Sequence, residues 1–340
     1  MDTVTHGLTG WLVARAVPSE AGKKMATAAV VLGSVLPDAD NIASLFGSEL
    51  YLRLHRGISH SFAGVAVTSL VLALLLYRFG KWKDLKKIYL LVLLGQFSHV
   101  ALDVLNSYGT QVFQPFSNAR VSFDLLFIID LAFTGIVVLG LLLSRSRPSR
   151  ARAAIFALAA YVGLAAFLHV RAADAVRDAA IRGGVRVVSS WALPTLGEMP
   201  AGTDFGIGRK AEAAIAGLPG AGTQGGGFPL PAGPFAWNGF VDDGSTYLRA
   251  EVNPFDGAIA WRERVRKGRD APEARALKDL PDVRTYLWFA RFPTVFVSTA
   301  DGKTVVTFSD LRFGGATTRR PFVLRVTETP GLSPQANWGS

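Results

Sequence analysis

The sequence predicts an α-helical integral membrane domain followed by a mainly β extracytoplasmic domain. The prediction rests on long apolar stretches, on the basic loops between them, and on a change to short aromatic and β-branched runs after residue 170. Half of the 340 residues are hydrophobic, and the mean hydropathy of +0.30 is high for a soluble chain.

Phe62–Phe79, Ile88–Leu105 and Leu125–Leu143 are each long enough for a hydrocarbon core of roughly 30 Å, and Ala153–Val170, richer in alanine, is long enough too. Two shorter N-terminal helices, Val4–Val17 and Met25–Leu36, complete the set as short, re-entrant or packed elements. Arg15 interrupts the first apolar run and no basic region precedes it, so a cleavable leader is not expected. The Arg78–Lys87 and Arg145–Arg152 loops are strongly basic, which places both in the cytoplasm. Pro37–Ser61, Asn106–Asp124 and everything after Val170 then face outward.

The boundary therefore falls between a membrane-embedded domain, 1–170, and a β domain, 171–340. Arg171–Arg182 reads as a short amphipathic helix. A Gly/Pro-rich loop near 217–234 contains Gly225-Gly226-Gly227. Strands are expected at Ala236–Val241, Thr246–Val252, Thr285–Ala290, Thr294–Thr299, Thr304–Ser309 and Phe322–Thr327, with turns at Asp242-Asp243-Gly244 and Asp301-Gly302-Lys303.

The formal charge is +10. In a membrane protein this reflects topology and contact with anionic lipid. No interleaved basic-aromatic stripe is present, so nucleic acid is not expected as a direct partner. The chain has no cysteine, which removes disulfides, thiolate metal sites and cysteine nucleophiles. Serine hydrolase, zincin and phosphate-loop patterns are absent around Ser59, Ser61 and Gly225-Gly226-Gly227.

Four of the five histidines lie within the first 99 residues, interleaved with carboxylates. They read Thr5-His6-Gly7, Leu36-Pro37-Asp38-Ala39-Asp40, His55-Arg56-Gly57-Ile58-Ser59-His60-Ser61 and His99-Val100-Ala101-Leu102-Asp103. Ionisable groups are expensive in or near a bilayer, so the cluster points to a site. His99 and Asp103, at i and i+4, share one helix face. His55 and His60 are about 140° apart on a helix and converge only across a turn, which Gly57 permits. Asp38 and Asp40 both reach a metal if the chain bends after Pro37; otherwise one ligates and the other orients a histidine. Mixed His/Asp ligation suits zinc or manganese and leaves positions open for activated water. Arg56 is placed to contact a phosphate oxygen, and Arg120 is a weaker candidate. His169, alone at the end of an apolar stretch, is expected to be structural, and Asp124 a helix-terminus charge.

These motifs, with Ser107-Tyr108-Gly109, resemble the YdjM-like bacterial inner-membrane family over residues 1 to about 135. Arg291-Phe292-Pro293 and Asp310-Leu311-Arg312-Phe313 resemble the distal domain of longer members. The resemblance implies metal-dependent hydrolysis, with distant similarity to zinc-dependent phospholipase C and single-strand nucleases. It implies metal-binding roles for His6, Asp38, His55, His60, His99 and Asp103, and adds Asp130, which matches a family aspartate usually followed by proline. Leu131 follows here.

The expectation is a multi-pass protein of the bacterial cytoplasmic membrane, with one to three divalent ions at its outer face. Asp40, Arg56 and Asp130 are its catalytic candidates. It would cleave a phosphoester in a phospholipid or lipid-linked phosphate. The alternatives are a non-catalytic metal-binding membrane protein, such as a transporter or scaffold, and an interaction protein acting through its β domain.

Overall fold

The computed structural model describes residues 1–17, 23–145, 147–195, 234–300, 302–313 and 323–339. The expected Gly/Pro-rich loop lies almost wholly outside these residues, as do Asp301 of one expected turn and Phe322 of the last expected strand.

The N-terminal half is helical: α1 (Thr3–Ala16), α2 (Lys23–Val35), α3 (Ser48–Leu54), α4 (Phe62–Phe79), α5 (Leu85–Val104), α6 (Leu131–Leu143) and α7 (Pro148–Arg182). Among the described residues, three helices, α4, α5 and α7, are long and apolar enough to cross a membrane. A fourth span arises if α2 and the 3-10 helix Pro37–Phe46, bent by 41°, count as one. The break has a simple cause, since Pro37 lacks an N–H to continue α2 but fits the first turn of a new helix.

Two helix boundaries differ from expectation. The Leu125–Leu143 stretch becomes helical only at Leu131, because Asp130 adopts an extended backbone and its carboxylate caps the helix by accepting from Phe133 N. This fixes the start of α6 and leaves it 13 residues long. In contrast, Ala153–Val170 and Arg171–Arg182 form one 35-residue helix. No glycine or proline separates them, and Leu168, Ala172, Val176 and Ala179 form one buried stripe. The boundary expected at 170/171 thus lies inside α7, whose C-terminal half packs on the first sheet.

That sheet is β1 (Ser189–Pro194), β2 (Trp237–Asp242), β3 (Thr246–Val252) and β4 (Ile259–Arg266), antiparallel in sequential order. A second antiparallel sheet has the order β5 (Pro293–Ala300), β6 (Lys303–Asp310), β7 (Val323–Glu328), β8 (Gln335–Gly339). Between the sheets lie α8 (Pro272–Ala276) and α9 (Pro281–Phe289). The strand expected at Thr285–Ala290 is therefore helix. Pro281 opens it, and Val283, Tyr286 and Phe289 are buried at a spacing of three, a helical period hidden among strand-forming residue types.

The backbones of α2 and α5 approach each other closely. A Cβ at Gly33 would stand 2.4 Å from Val92 O, and one at Gly95 would stand 2.2 Å from Val30 O. Small residues permit this contact, as they do between membrane helices generally. It brings the end of α2 against the last turns of α5. Gly95→Ala should force the helices apart at a cost of about 1–3 kcal/mol, read as a lower thermal midpoint in detergent; an unchanged midpoint would mean that the contact is not tight.

Candidate metal centre

Four chain segments deliver acids and imidazoles to one end of the helix bundle. Pro37 begins the 3-10 helix that presents Asp38 and Asp40. The turn Ile58–His60 precedes α4 and presents His60. The last turns of α5 present His99 and Asp103, and the first turn of α1 presents His6. The turn between His55 and His60 is present as expected, but its left-handed residue is Arg56, with φ 57°, and not Gly57. The Asp40 carboxylate holds this strained conformation by accepting from Arg56 N at 3.1 Å.

Asp38, His60, His99 and Asp103 are all buried, and each offers a ligand atom within 4.8 Å of the others. Asp38, Asp40 and His55 form a second group by the same distance, sharing Asp38 with the first. Thus five of the six expected ligands fall into two overlapping groups. The sixth, His6, lies outside both. Its Nε2 donates to Asp103 Oδ1 at 3.1 Å, its ring stacks on His99 with centroids 3.6 Å apart, and its buried Nδ1 has no hydrogen-bond partner.

The surrounding hydrogen bonds set the tautomers. His99 Nδ1 is 2.7 Å from Ser34 O, and a carbonyl only accepts, so this nitrogen carries the proton. Ser59 Oγ donates to Asp40 Oδ2 at 2.6 Å. Its lone pair therefore receives the Nδ1 proton of His60 at 2.9 Å, with Asp40 Oδ2 3.2 Å from the same nitrogen. Both rings consequently turn Nε2 inward. These two atoms are 3.0 Å apart, and Asp103 Oδ2 lies 3.2 Å from one and 3.3 Å from the other. Asp38 Oδ1 is 3.9 Å from His60 Nε2 and 3.6 Å from His99 Nε2.

Asp103 Oδ2 accepts no hydrogen bond. The inner faces of the four residues are therefore almost entirely lone pairs, a set that needs a positive centre. A proton on His60 is one solution: burial opposes its charge, but the neighbouring Asp103 and Asp40 carboxylates outweigh burial and raise its pKa. A divalent cation is the other. Two imidazole nitrogens and two carboxylates, without thiolate, form a donor set that fits zinc or manganese.

Asp40 matches the orienting role weighed for one member of its pair. It bonds His55 Nδ1 at 2.8 Å in addition to Ser59, His60 and Arg56 N. Arg56 is placed differently from expectation. One terminal nitrogen is 2.9 Å from Asp103 Oδ1 and the other donates to Asn106 Oδ1 at 2.7 Å, with the residue 3% exposed. It is the countercharge of Asp103 and is not free to meet a phosphate. Asp130 stands apart from both acid–histidine groups: besides capping α6, it accepts from Tyr161 Oη at 2.8 and 2.9 Å. Its role is structural because α6 begins there. Arg120 donates to Leu52 O and Gly109 O. Asp124 pairs with Arg291, so it is not a simple helix-terminus charge, and His169 meets Asp124 O and the Trp237 ring.

Several participants were not singled out from sequence. Thr3 Oγ1 donates to Asp38 Oδ2 at 2.5 Å, and the Met1 amino group contacts Asp103 Oδ1. Ser34 acts through its carbonyl, which no side-chain pattern signals. Asn106 and Ser59 sit inside or beside the recognised motifs, and motif adjacency was the available signal. The distal motifs also gain a role. Asp310 accepts from Arg291 N and Arg312 Nε, Arg291 forms a bidentate pair with Asp124 at 2.6 and 3.0 Å, and Arg312 donates to Ser107 O at 2.9 Å. Phe289 packs on Tyr108, whose ring meets His55.

An integral membrane protein whose helix ends converge on a buried histidine–aspartate centre is the class these features define. The chain belongs to the YdjM inner membrane protein family, which matches residues 1–172. It is 34% identical over 137 residues to a Bacillus subtilis (strain 168) relative described as "Uncharacterized protein YfhP". That match covers 38% of this chain and 42% of the relative, so it spans less than half the relative's length. No solved structure matches the chain.

The geometry separates donors from supports. Metal analysis of purified protein should show occupancy lost in His60→Ala, His99→Ala and Asp103→Ala. Asp40→Asn should retain a site weakened by about 10–100-fold, the usual effect of removing a group that orients a ligand. Tyr161→Phe should leave occupancy unchanged.

Proposed function

We propose that this chain is a membrane-bound metal-dependent hydrolase that cleaves a phosphoester in a phospholipid or lipid-linked phosphate. The observation that carries the reading is the convergence of Asp38, His60, His99 and Asp103, whose inward-facing atoms are nearly all lone pairs. Asp38, His60, His99 and Asp103 hold one ion, zinc by donor preference with manganese as an alternative. Asp40 and His55, which share Asp38, hold a second if two are bound. A bound ion supplies a water of lowered pKa and a positive centre for phosphoryl oxygens. The protein's own groups fix the ligands: Ser34 O and the Asp40–Ser59 pair set the two imidazole tautomers, and Arg56 and His6 occupy Asp103 Oδ1 so that Oδ2 faces the ion.

Location supports a lipid substrate. The acid–histidine end of the bundle is opposite the end where Arg15 meets Leu141 O and Ser144, beside the basic Arg78–Lys87 and Arg145–Arg152 loops. By the positive-inside rule this supports an extracytoplasmic site and β-sheet region at a bacterial inner membrane. Ile42, Leu45 and Phe46 are exposed on the 3-10 helix that carries Asp38 and Asp40, an apolar surface suited to acyl chains.

Purified protein with zinc or manganese should hydrolyse a short-chain phospholipid or a chromogenic phosphodiester. A chelator should abolish turnover and added metal should restore it. His99→Ala and Asp103→Ala should fall to background. Full metal content with no turnover on diester, monoester or lipid substrates, together with ion transport in vesicles, would replace the enzyme reading with a transporter.

A further inference from the structure

A cavity of about 360 Å³ opens where α3, the loop after α5 and α9 meet. Arg53, Arg284, Gln114, Asn118, Thr285 and Trp288 line it. Its size lies within the range of small-ligand sites. The Arg284 guanidinium is exposed and has no hydrogen-bond or ion-pair partner among the described residues. Arg53 is 55% exposed and has one acidic neighbour, Glu49 at 3.4 Å, an exposed helical pair of small worth. Glu49 also accepts from Thr285 Oγ1 at 3.1 Å. Two guanidinium groups against one carboxylate leave the cavity cationic, and carboxamide and hydroxyl groups surround them.

Its rim is apolar. Phe113 and Phe116, which alternate along the chain with Gln111, Gln114 and Asn118, are 50% and 90% exposed. Leu50 and Leu54, which flank Arg53 on α3, are also exposed. A cationic, hydrogen-bonding hollow beside exposed aromatic and aliphatic side chains matches an amphiphile with an anionic head. The guanidinium fork favours phosphate among such heads.

The cavity shares a wall with the candidate metal centre. Gln111 N donates to Arg56 O at 2.9 Å, and Gln114 Oε1 lies 3.4 Å from the position of a Cβ on Gly57. The Arg53–Gly57 segment therefore presents Arg53 to the cavity and carries His55 and Arg56 of the acid–histidine network. We infer that this cavity binds the phosphate-bearing headgroup of a membrane lipid, with Arg53 and Arg284 as its recognition residues and Phe113 and Phe116 against the acyl chains. The link to hydrolysis rests on the function proposed above, whereas the binding stands without it.

The test is titration calorimetry of the full chain in neutral detergent. The probes are inorganic phosphate, dihexanoyl phosphatidic acid and the uncharged dihexanoylglycerol. The wild type should bind the phosphatidic acid most tightly and the uncharged diglyceride least. Arg53→Gln/Arg284→Gln should weaken phosphatidic acid binding at least about tenfold, the size of one charge-assisted contact, with metal content unchanged. Arg284→Lys should recover part of the loss. Equal binding of phosphatidic acid by wild type and double variant, or of the charged and uncharged lipids, would overturn the subsite. Inorganic phosphate binding as tightly as phosphatidic acid would overturn the lipid as its source. His60→Ala should still bind phosphatidic acid, so a failure of the metal reading shows in metal content and a failure of this one in the arginine variants.

Discussion

A carboxylate at zero exposure near the end of an apolar helix cannot stay ionised on its own, because burying a bare charge costs far more than a fold's whole stability margin. Asp103 is such a group, and the architecture around it is the set of answers to its charge. Its Oδ1 gathers Arg56, His6 and the Met1 amino group, which draws in α1 and the turn before α4. Its Oδ2 faces His60 and His99. Removing one partner of such a network typically costs about 3–5 kcal/mol, since the survivor is left buried and unpaired. The strained backbone of Arg56 and the glycine-mediated contact of α2 with α5 are tolerated because both deliver groups to this point.

The same constraint extends into the C-terminal half. Asp310 is 2% exposed and organises Arg291 and Arg312, which grip the segment following Asp103 at Asp124, Ser107 and Tyr108. Tyr108 is then held between Phe289 on one side and His55 and Arg56 on the other. The β-sheet region is therefore continuous with the acid–histidine network through side-chain packing. A substitution in the Asp310 cluster has a physical route to the site without touching it.

What could be read from the chain beforehand follows from the range of the interaction concerned. The apolar stretches of α4 and α5 are set by bilayer-length hydrophobicity, a local property, and they emerged nearly to the residue. The clustering of Asp38, His55, His60, His99 and Asp103 was readable because acids and imidazoles among apolar residues have few other uses. Asp130 shares that signature but serves as a helix cap, and only its placement against Phe133 N and Tyr161 Oη distinguishes the two. α9 was hidden because Tyr, Leu, Trp and Phe favour strands by composition, whereas its burial repeats every three residues. Continuity of α7 past Val170 was obscured by charges that leave one alanine and valine stripe intact. β1, β4 and β8 depend on partners distant in sequence, and Ser34 contributes a carbonyl, which every residue has.

The hydrogen bonds around the two rings favour the proposed metal centre over a buried ion-pair network. An ion-pair network is best served by imidazoles that present protons to carboxylates, so Nε2–H should point at Asp38 and Asp103. Instead, Ser34 O and the Ser59–Asp40 pair draw the proton of each ring to Nδ1, on the side away from Asp38 and Asp103. That arrangement spends the donors on the outside and concentrates acceptors inside, which raises the electrostatic cost of the protein alone. Histidines that bind metal show the same division, with the outer nitrogen donating to a carbonyl or carboxylate. The Asp40 network is therefore more than a structural support. It bonds both His55 and His60 through Nδ1, the tautomer that the proposed metal reading calls for, and so links the Leu36-Pro37-Asp38-Ala39-Asp40 motif to the His55–His60 turn.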